Sequence, residues 1–156
     1  MLILCCGNPE RGDDAAGILV AERLKELSID AQVCTGDPSA LLQHWEGSHD
    51  VLLIDAVVTG SSAGTIHVWN ASETRLPPQP SESTHGFGVA FAIELARELG
   101  SLPERLTVCG IEAGSFDLGA KPSPAVHRAV KDLTDKIAAE CGGCRQTLPY
   151  RTTSNP

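Results

Sequence analysis

Three short apolar runs alternate with helical patterns along the chain, and this alternation constrains the fold more than any other feature. The runs cover residues 2–6, 51–54 and 106–111. Strands that are apolar on both faces need cover on both sides, which parallel sheets receive from their connecting helices. The sequence therefore predicts an α/β fold: a mostly parallel, twisted five-stranded sheet with helices on both faces, in a flavodoxin-like three-layer sandwich.

The remaining elements are predicted from periodicity and turn signals. Apolar residues at a helical period predict helices over 14–27, 39–45, 86–99 and 124–139. A weaker strand is predicted over 30–34. The alternating run 65–69 follows the preceding strand so closely that we expect an antiparallel strand at the edge of the sheet. We predict a single domain over 1–140 and a flexible tail over 141–156.

Composition narrows the classes of partner. The formal net charge of -8 and the aromatic content of 4% disfavour nucleic acid, which requires a basic face and stacking side chains. An anionic membrane is disfavoured for the same electrostatic reason. With no long apolar segment or signal peptide in view, we expect a cytoplasmic protein. Four cysteines lie in apolar strand-like runs and are predicted to be buried free thiols: Cys5, Cys6, Cys34 and Cys109.

Two acidic residues follow the first and third predicted strands. Asp14 lies in the loop "GNPERGDDAAG", and Asp55 closes the apolar run in "VLLIDAVV". If these strands are neighbours where the strand order reverses, both carboxylates meet in the crevice where such sheets bind ligands. Asp13 is assigned to capping the following helix, which leaves Asp14 to point into the crevice. A structural salt bridge is the alternative for Asp55.

A histidine supplies the third group of this predicted site. His85 stands at the start of a predicted helix, beside Gly86 and Gly88, which indicate close approach of another backbone. Its alternative role is to cap its own helix. Two carboxylates and one imidazole leave open positions on a metal ion, a catalytic arrangement. Spacing does not choose among zinc, manganese, iron and nickel. The other histidines are interpreted as surface residues: His44, His49, His67 and His127.

Three segments resemble the motifs of the hydrogenase maturation endopeptidases: "GNPERGDDAAG" at 7–17, "LLIDAV" at 52–57 and "STHGFG" at 83–88. That family comprises cytoplasmic proteases that trim the C-terminal extension from the large-subunit precursor of nickel–iron hydrogenases. The resemblance implies that Asp14, Asp55 and His85 are the metal ligands and the catalytic residues. It also implies that the nickel is supplied by the precursor, while another divalent metal could occupy the site.

The chain departs from the family pattern in one loop. Many members carry Asp-Gly-Gly after the second strand, whereas "CTGDPS" at 34–39 has Thr35 in the usual place of the aspartate. Asp37 is an alternative source of that carboxylate. Two other functions stay open: a non-catalytic checkpoint that binds the nickel-loaded precursor, and a flavodoxin-like binder of nucleotide or phosphate. The paired aspartates disfavour the second, because they would repel a phosphate.

Overall fold

The computed structural model describes residues 1–77 and 84–142, with the backbone alone for 84–87 and 142. Strands and helices alternate through these residues in the predicted manner. In chain order they are β1 (Leu2–Cys6), a 3-10 helix (Gly12–Ala15), α1 (Ala16–Glu26), β2 (Gln32–Cys34), α2 (Pro38–Trp45), β3 (Asp50–Val57), β4 (Ile66–Asn70), α3 (Thr84–Glu98), β5 (Arg105–Glu112) and α4 (Pro124–Gly142).

The five described strands form one sheet in the order β2-β1-β3-β5-β4. β1 pairs in parallel with β2 on one side and with β3 on the other, and β3 pairs in parallel with β5. β4 lies antiparallel to β5 at the edge. The predicted fold class is therefore confirmed, including the antiparallel edge strand. The chain leaves β1 outward to β2 and then returns to β3, so the strand order reverses between β1 and β3.

Each face of the sheet carries its own apolar core. Alternate residues of β3 divide between the faces, with Leu52 and Ile54 in the core that contains residues of α1 and α4. Val51 and Leu53 belong to the core that contains residues of α2 and α3. Alternation places the side chain of Asp55 on this second face. The site residue of β3 is thus directed toward the α3 side of the molecule.

The sheet has a step at its carboxyl edge. Pairing between β1 and β3 ends at Cys5 and Ile54, whereas pairing between β3 and β5 continues to Val57 and Glu112. β3 therefore runs two residues past Asp55, and the expectation that Asp55 ends the strand is wrong. The strand continues because β5 still supplies backbone partners where β1 no longer does.

The first helix also begins differently from the prediction. Residues 12–15 form a 3-10 helix, and the α-helical turns of α1 start at Ala16. A Cβ atom on Gly17 would lie 2.0 Å from the backbone oxygen of Cys6. Only glycine therefore lets α1 pack this closely on β1, and this contact sets the position of the acidic turn above the strand.

The last helix ends close to the predicted start of the tail. α4 continues through Gly142, while residues 143–156, where most of the flexible tail is predicted, lie outside the described residues. The four cysteines of the strands are buried free thiols, as predicted.

Among the described residues, no helix combines the length and apolar character needed to cross a bilayer.

Replacing Gly17 with Ala tests the contact between α1 and β1. The added methyl group would overlap the Cys6 carbonyl, and we expect the free energy of unfolding to fall by about 2 kcal/mol or more. Urea titration measures the change. Glu22→Ala, on the exposed side of the same helix, serves as the control and should shift stability by less than about 0.5 kcal/mol. Equal stabilities of the two variants would contradict the packing argument.

Candidate active site

Asp14 lies in the 3-10 helix that follows β1, with its side chain fully buried. The preceding turn folds back onto it: the Asn8 amide donates to the Asp14 carbonyl at 3.1 Å, and the Asp14 amide donates to the Arg11 carbonyl. Gly7 allows this return, because its φ of +150° is unfavourable for other residues and a Cβ there would meet the Asp14 carbonyl at 2.2 Å. The turn thus fixes Asp14 at the carboxyl end of β1.

Asp55 reaches the same region from β3. Its side chain is 3% exposed and accepts a hydrogen bond of 2.9 Å from the Ala56 amide. It forms one wall of a cleft of about 310 Å³, open mouth included, whose other lining residues are apolar side chains of β3, β4, β5, α3 and the segment after β4: Val57, Trp69, Leu76, Val89, Ala90 and Val108. Among the described residues of that lining, Asp55 alone has an ionisable side chain.

The two aspartates interact electrostatically. Burial raises the pKa of Asp55 well above its usual value, and the charge of Asp14 raises that pKa further, although the hydrogen bond from Ala56 lowers it. Two buried carboxylates in one another's field do not both ionise easily. This interaction agrees with the predicted proximity of Asp14 and Asp55, while their assignment as metal ligands stays a prediction. The arrangement suits a cation or acid–base chemistry.

His85 is the third predicted ligand. Its backbone lies in the first turn of α3, on the sheet face to which Asp55 is directed. Its side chain lies outside the described residues, so its distance to the aspartates stays a prediction. Among the side chains that the structure does describe, no three histidine, cysteine, aspartate or glutamate groups are arranged to hold a metal ion.

A backbone contact supports the expected close approach at the glycines beside His85. A Cβ on Gly88 would lie 2.5 Å from the backbone oxygen of Gly36, in the loop after β2. The start of α3 therefore rests directly on that loop. In the same loop Asp37 accepts a hydrogen bond of 3.1 Å from the Ala40 amide and caps α2. Its geometry gives Asp37 a local structural role.

Asp13 does not cap its own helix, contrary to the expectation from sequence. Its buried carboxylate accepts hydrogen bonds from the amides of Gly114 and Ser115, at 2.7 and 3.3 Å, and from the amide and hydroxyl of Ser123, at 2.6 and 3.1 Å. These donors belong to the segment between β5 and α4. Asp13 therefore joins the acidic turn to that segment, about a hundred residues away in sequence, a contact that local patterns do not reveal.

A further buried acid was missed by the sequence analysis. Glu112, the last residue of β5, accepts hydrogen bonds from the Thr59 amide and hydroxyl, the Gly60 amide and His67 Nε2. Burial opposes its ionisation, but these bonds together lower the pKa of Glu112. His67, interpreted from sequence as a surface residue, has a side chain only 20% exposed and stacks on Trp69.

The Glu112 cluster is not a nucleophilic triad. Thr59 Oγ1 and the Glu112 carboxylate both lie next to the same ring nitrogen of His67, Nε2, at 3.3 and 3.0 Å. A triad needs the base to contact the nucleophile through one nitrogen and the acid through the other. The cluster instead anchors the loop after β3. Its sequence signal was the acid that directly follows the apolar run of the last strand.

Comparisons with known proteins agree with this architecture. The chain resembles the [NiFe] hydrogenase maturation protease HycI from Thermococcus kodakarensis KOD1, with a TM-score of 0.70, 25% identity, and 91% of this chain and 92% of that chain covered. The endopeptidase HybD from E. coli gives a TM-score of 0.71 at 20% identity, with 90% and 91% covered. A solution structure of an endopeptidase from Escherichia coli gives 0.76 at 22% identity, with 92% and 94% covered.

The family model defines the class more directly than the fold does. A model described as hydrogenase maturation protease matches residues 18–140, a span that includes Asp55 and His85 and begins just after Asp14. No curated protein sequence matches the chain. Fold and family model together define an α/β peptide hydrolase. The chain belongs to the hydrogenase maturation protease family.

Asp13→Asn tests the structural role of Asp13. The amide group would place its own N–H donors against backbone N–H donors of the segment before α4, so we expect the free energy of unfolding to fall by about 3 kcal/mol. Chemical denaturation measures this loss. Asp132→Asn, on the exposed side of α4, is the control. Stability equal to that of the control would show that the Asp13 bonds contribute little.

Asp55→Asn should have the opposite effect on stability. Because folding raises the pKa of Asp55, its ionised form opposes folding at every pH above the usual carboxyl value of 3.8. Asparagine keeps the acceptor for the Ala56 amide without the charge. In metal-free buffer we expect its melting temperature to exceed that of the wild type at neutral and alkaline pH, with the difference shrinking as the pH falls toward 3.8.

Thermal unfolding across a pH series gives the measurement for Asp55→Asn. Asp132→Asn should follow the wild-type curve throughout, because that side chain is exposed. A lower melting temperature for Asp55→Asn than for the wild type over the whole range would contradict the assignment of a strained, buried charge.

Proposed function

We propose that this protease removes the C-terminal extension from the large-subunit precursor of a nickel–iron hydrogenase after nickel insertion. The observation that carries the proposal is the pair of mutually repelling, buried carboxylates Asp14 and Asp55 at the reversal point of the sheet. A divalent cation relieves that repulsion. Membership of the hydrogenase maturation protease family then indicates the reaction, peptide hydrolysis of a hydrogenase precursor.

The nickel belongs to the substrate in this proposal. Asp14 and Asp55 offer carboxylate oxygens to it, and His85 offers an imidazole nitrogen from the first turn of α3. Oxygen and nitrogen donors together suit a borderline divalent metal such as nickel. Bound nickel acts as a Lewis acid that polarises the scissile carbonyl or a water. Another divalent metal has access to the same donors.

The residues around the aspartates prepare them for this task. The turn at 7–11 fixes the backbone of Asp14, and the Ala56 amide orients one oxygen of Asp55. The raised pKa of Asp55 means that protons compete with the cation, so metal-dependent binding of the precursor should strengthen as the pH rises. One side of the Asp55 carboxylate borders the apolar cleft.

Incubation of the purified protein with nickel-loaded and nickel-free precursor tests the proposal. We expect only the nickel-loaded precursor to lose its tail. Mass spectrometry measures this loss. Asp14→Asn, Asp55→Asn and His85→Ala should lower the cleavage rate by at least about 100-fold, the scale of losing a metal-holding or electrostatic group. Asp132→Asn, exposed on α4, should cleave like the wild type.

The alternative outcomes of this assay separate the rival functions. A stable complex that keeps its tail would favour a nickel checkpoint without catalysis. Equal cleavage of both precursor forms would refute metal-gated recognition. Full activity of Asp55→Asn would refute the proposed active site, even though the chain belongs to this family.

A further inference from the structure

Two buried thiols lie side by side at the carboxyl edge of the sheet. Cys6 ends β1 and Cys34 ends β2, and the parallel register places the two residues directly opposite one another. Their Sγ atoms are 2.7 Å apart, and the residues are 1% and 4% exposed. Directly paired strand neighbours have the Cα separation that a disulfide spans. The proposed protease function uses neither sulfur.

The two sulfurs differ in acidity. The hydrogen bond between the two sulfurs lowers the pKa of Cys34, and the Gly36 amide lowers it further, while burial opposes both. The same hydrogen bond raises the pKa of Cys6, and burial raises it further. Cys34 is therefore the more acidic thiol of the pair. A thiolate next to a protonated partner is the arrangement that reacts with oxidants.

The thiol pair is connected to the candidate site by contacts on both of its sides. The backbone oxygen of Cys6 packs against Gly17, at the start of the helix that follows Asp14. Two residues after Cys34, the carbonyl of Gly36 packs against Gly88 of α3. The charge of Asp55 also acts on Cys6. A bond between the sulfurs would tie together the two segments against which the site is built.

We propose that Cys6 and Cys34 form a reversible disulfide that joins β1 to β2 beside the active site and slows precursor processing while it is closed. The second half of this proposal rests on the proposed function. Processing slows because the loop after β2, held covalently at Cys34, supports the start of α3. The proposal requires this loop and helix to adjust when a peptide enters the crevice.

Hydrogen peroxide serves as the oxidant in this reaction. The Cys34 thiolate attacks one peroxide oxygen, the O–O bond breaks, and the departing hydroxide takes a proton from solvent to become water. Cys6 then loses its proton and attacks the sulfur of the Cys34 sulfenic acid. The S–O bond breaks, and the leaving hydroxide takes up a proton as a second water. In total, two thiols and one peroxide give one disulfide and two waters, and a dithiol reductant reverses the change.

The test begins with the chain in which Cys141 and Cys144 are both replaced by Ser, since their CxxC spacing offers a competing disulfide. After peroxide treatment, non-reducing peptide mapping should identify a Cys6–Cys34 cross-link with the loss of two hydrogens, and dithiothreitol should remove it. Cys34→Ser should abolish the cross-link. Cys109→Ser, a buried thiol on the other face of the sheet, should leave it unchanged. Absence of the cross-linked peptide in the parent chain would overturn the proposal.

The processing assay decides the regulatory half. The oxidised parent chain should cleave the nickel-loaded precursor several-fold more slowly than the reduced chain, with recovery after dithiothreitol, while Cys34→Ser should not respond to peroxide. An unchanged rate in the cross-linked protein would refute regulation. If the reduced chain does not cleave the precursor at all, the regulatory half falls together with the proposed function, whereas the cross-link is judged by the peptide map alone.

Discussion

The site depends on two negative charges that are buried near one another. Asp14 comes from the turn after β1 and Asp55 from the interior of β3, and both are removed from solvent. Water would screen such a pair, but the cores on either side of the sheet exclude it. In the proposed function, binding of a cation between the two carboxylates relieves this repulsion. The electrostatic strain and the proposed activity thus have one origin.

Neighbouring aspartates in this chain illustrate how environment decides the role of a residue. Asp13 and Asp14 are adjacent, yet Asp13 receives four hydrogen bonds from the segment before α4, and Asp14 shares the field of Asp55. Asp13 makes the charged turn compatible with burial by connecting it to the segment between β5 and α4. Asp14 contributes to the site because its neighbour holds the turn in place.

The sequence was sufficient for the fold and for the meeting of Asp14 and Asp55, because apolar strand runs and short connections define the order of a parallel sheet. It was insufficient for Asp13 and Glu112. The partners of Asp13 lie about a hundred residues away, and those of Glu112 lie in a loop whose path depends on β4. His67 was assigned to the surface from its alternation, but Glu112 and Trp69 hold it in place. Long-range hydrogen bonds of this kind leave no local pattern.

The step at the carboxyl edge of the sheet has a consequence for chain length. β3 and β5 continue past the end of β1, and the 3-10 helix that carries Asp14 packs against β3 at this height. The acidic turn therefore lies above the end of β1 and beside β3. The number of residues in β1 and in the turn after it sets the position of Asp14 along β3. One residue inserted or deleted there would move the carboxylate by a strand step of roughly 3.3 Å, so the length of this segment constrains the site as strictly as its glycines and aspartates do.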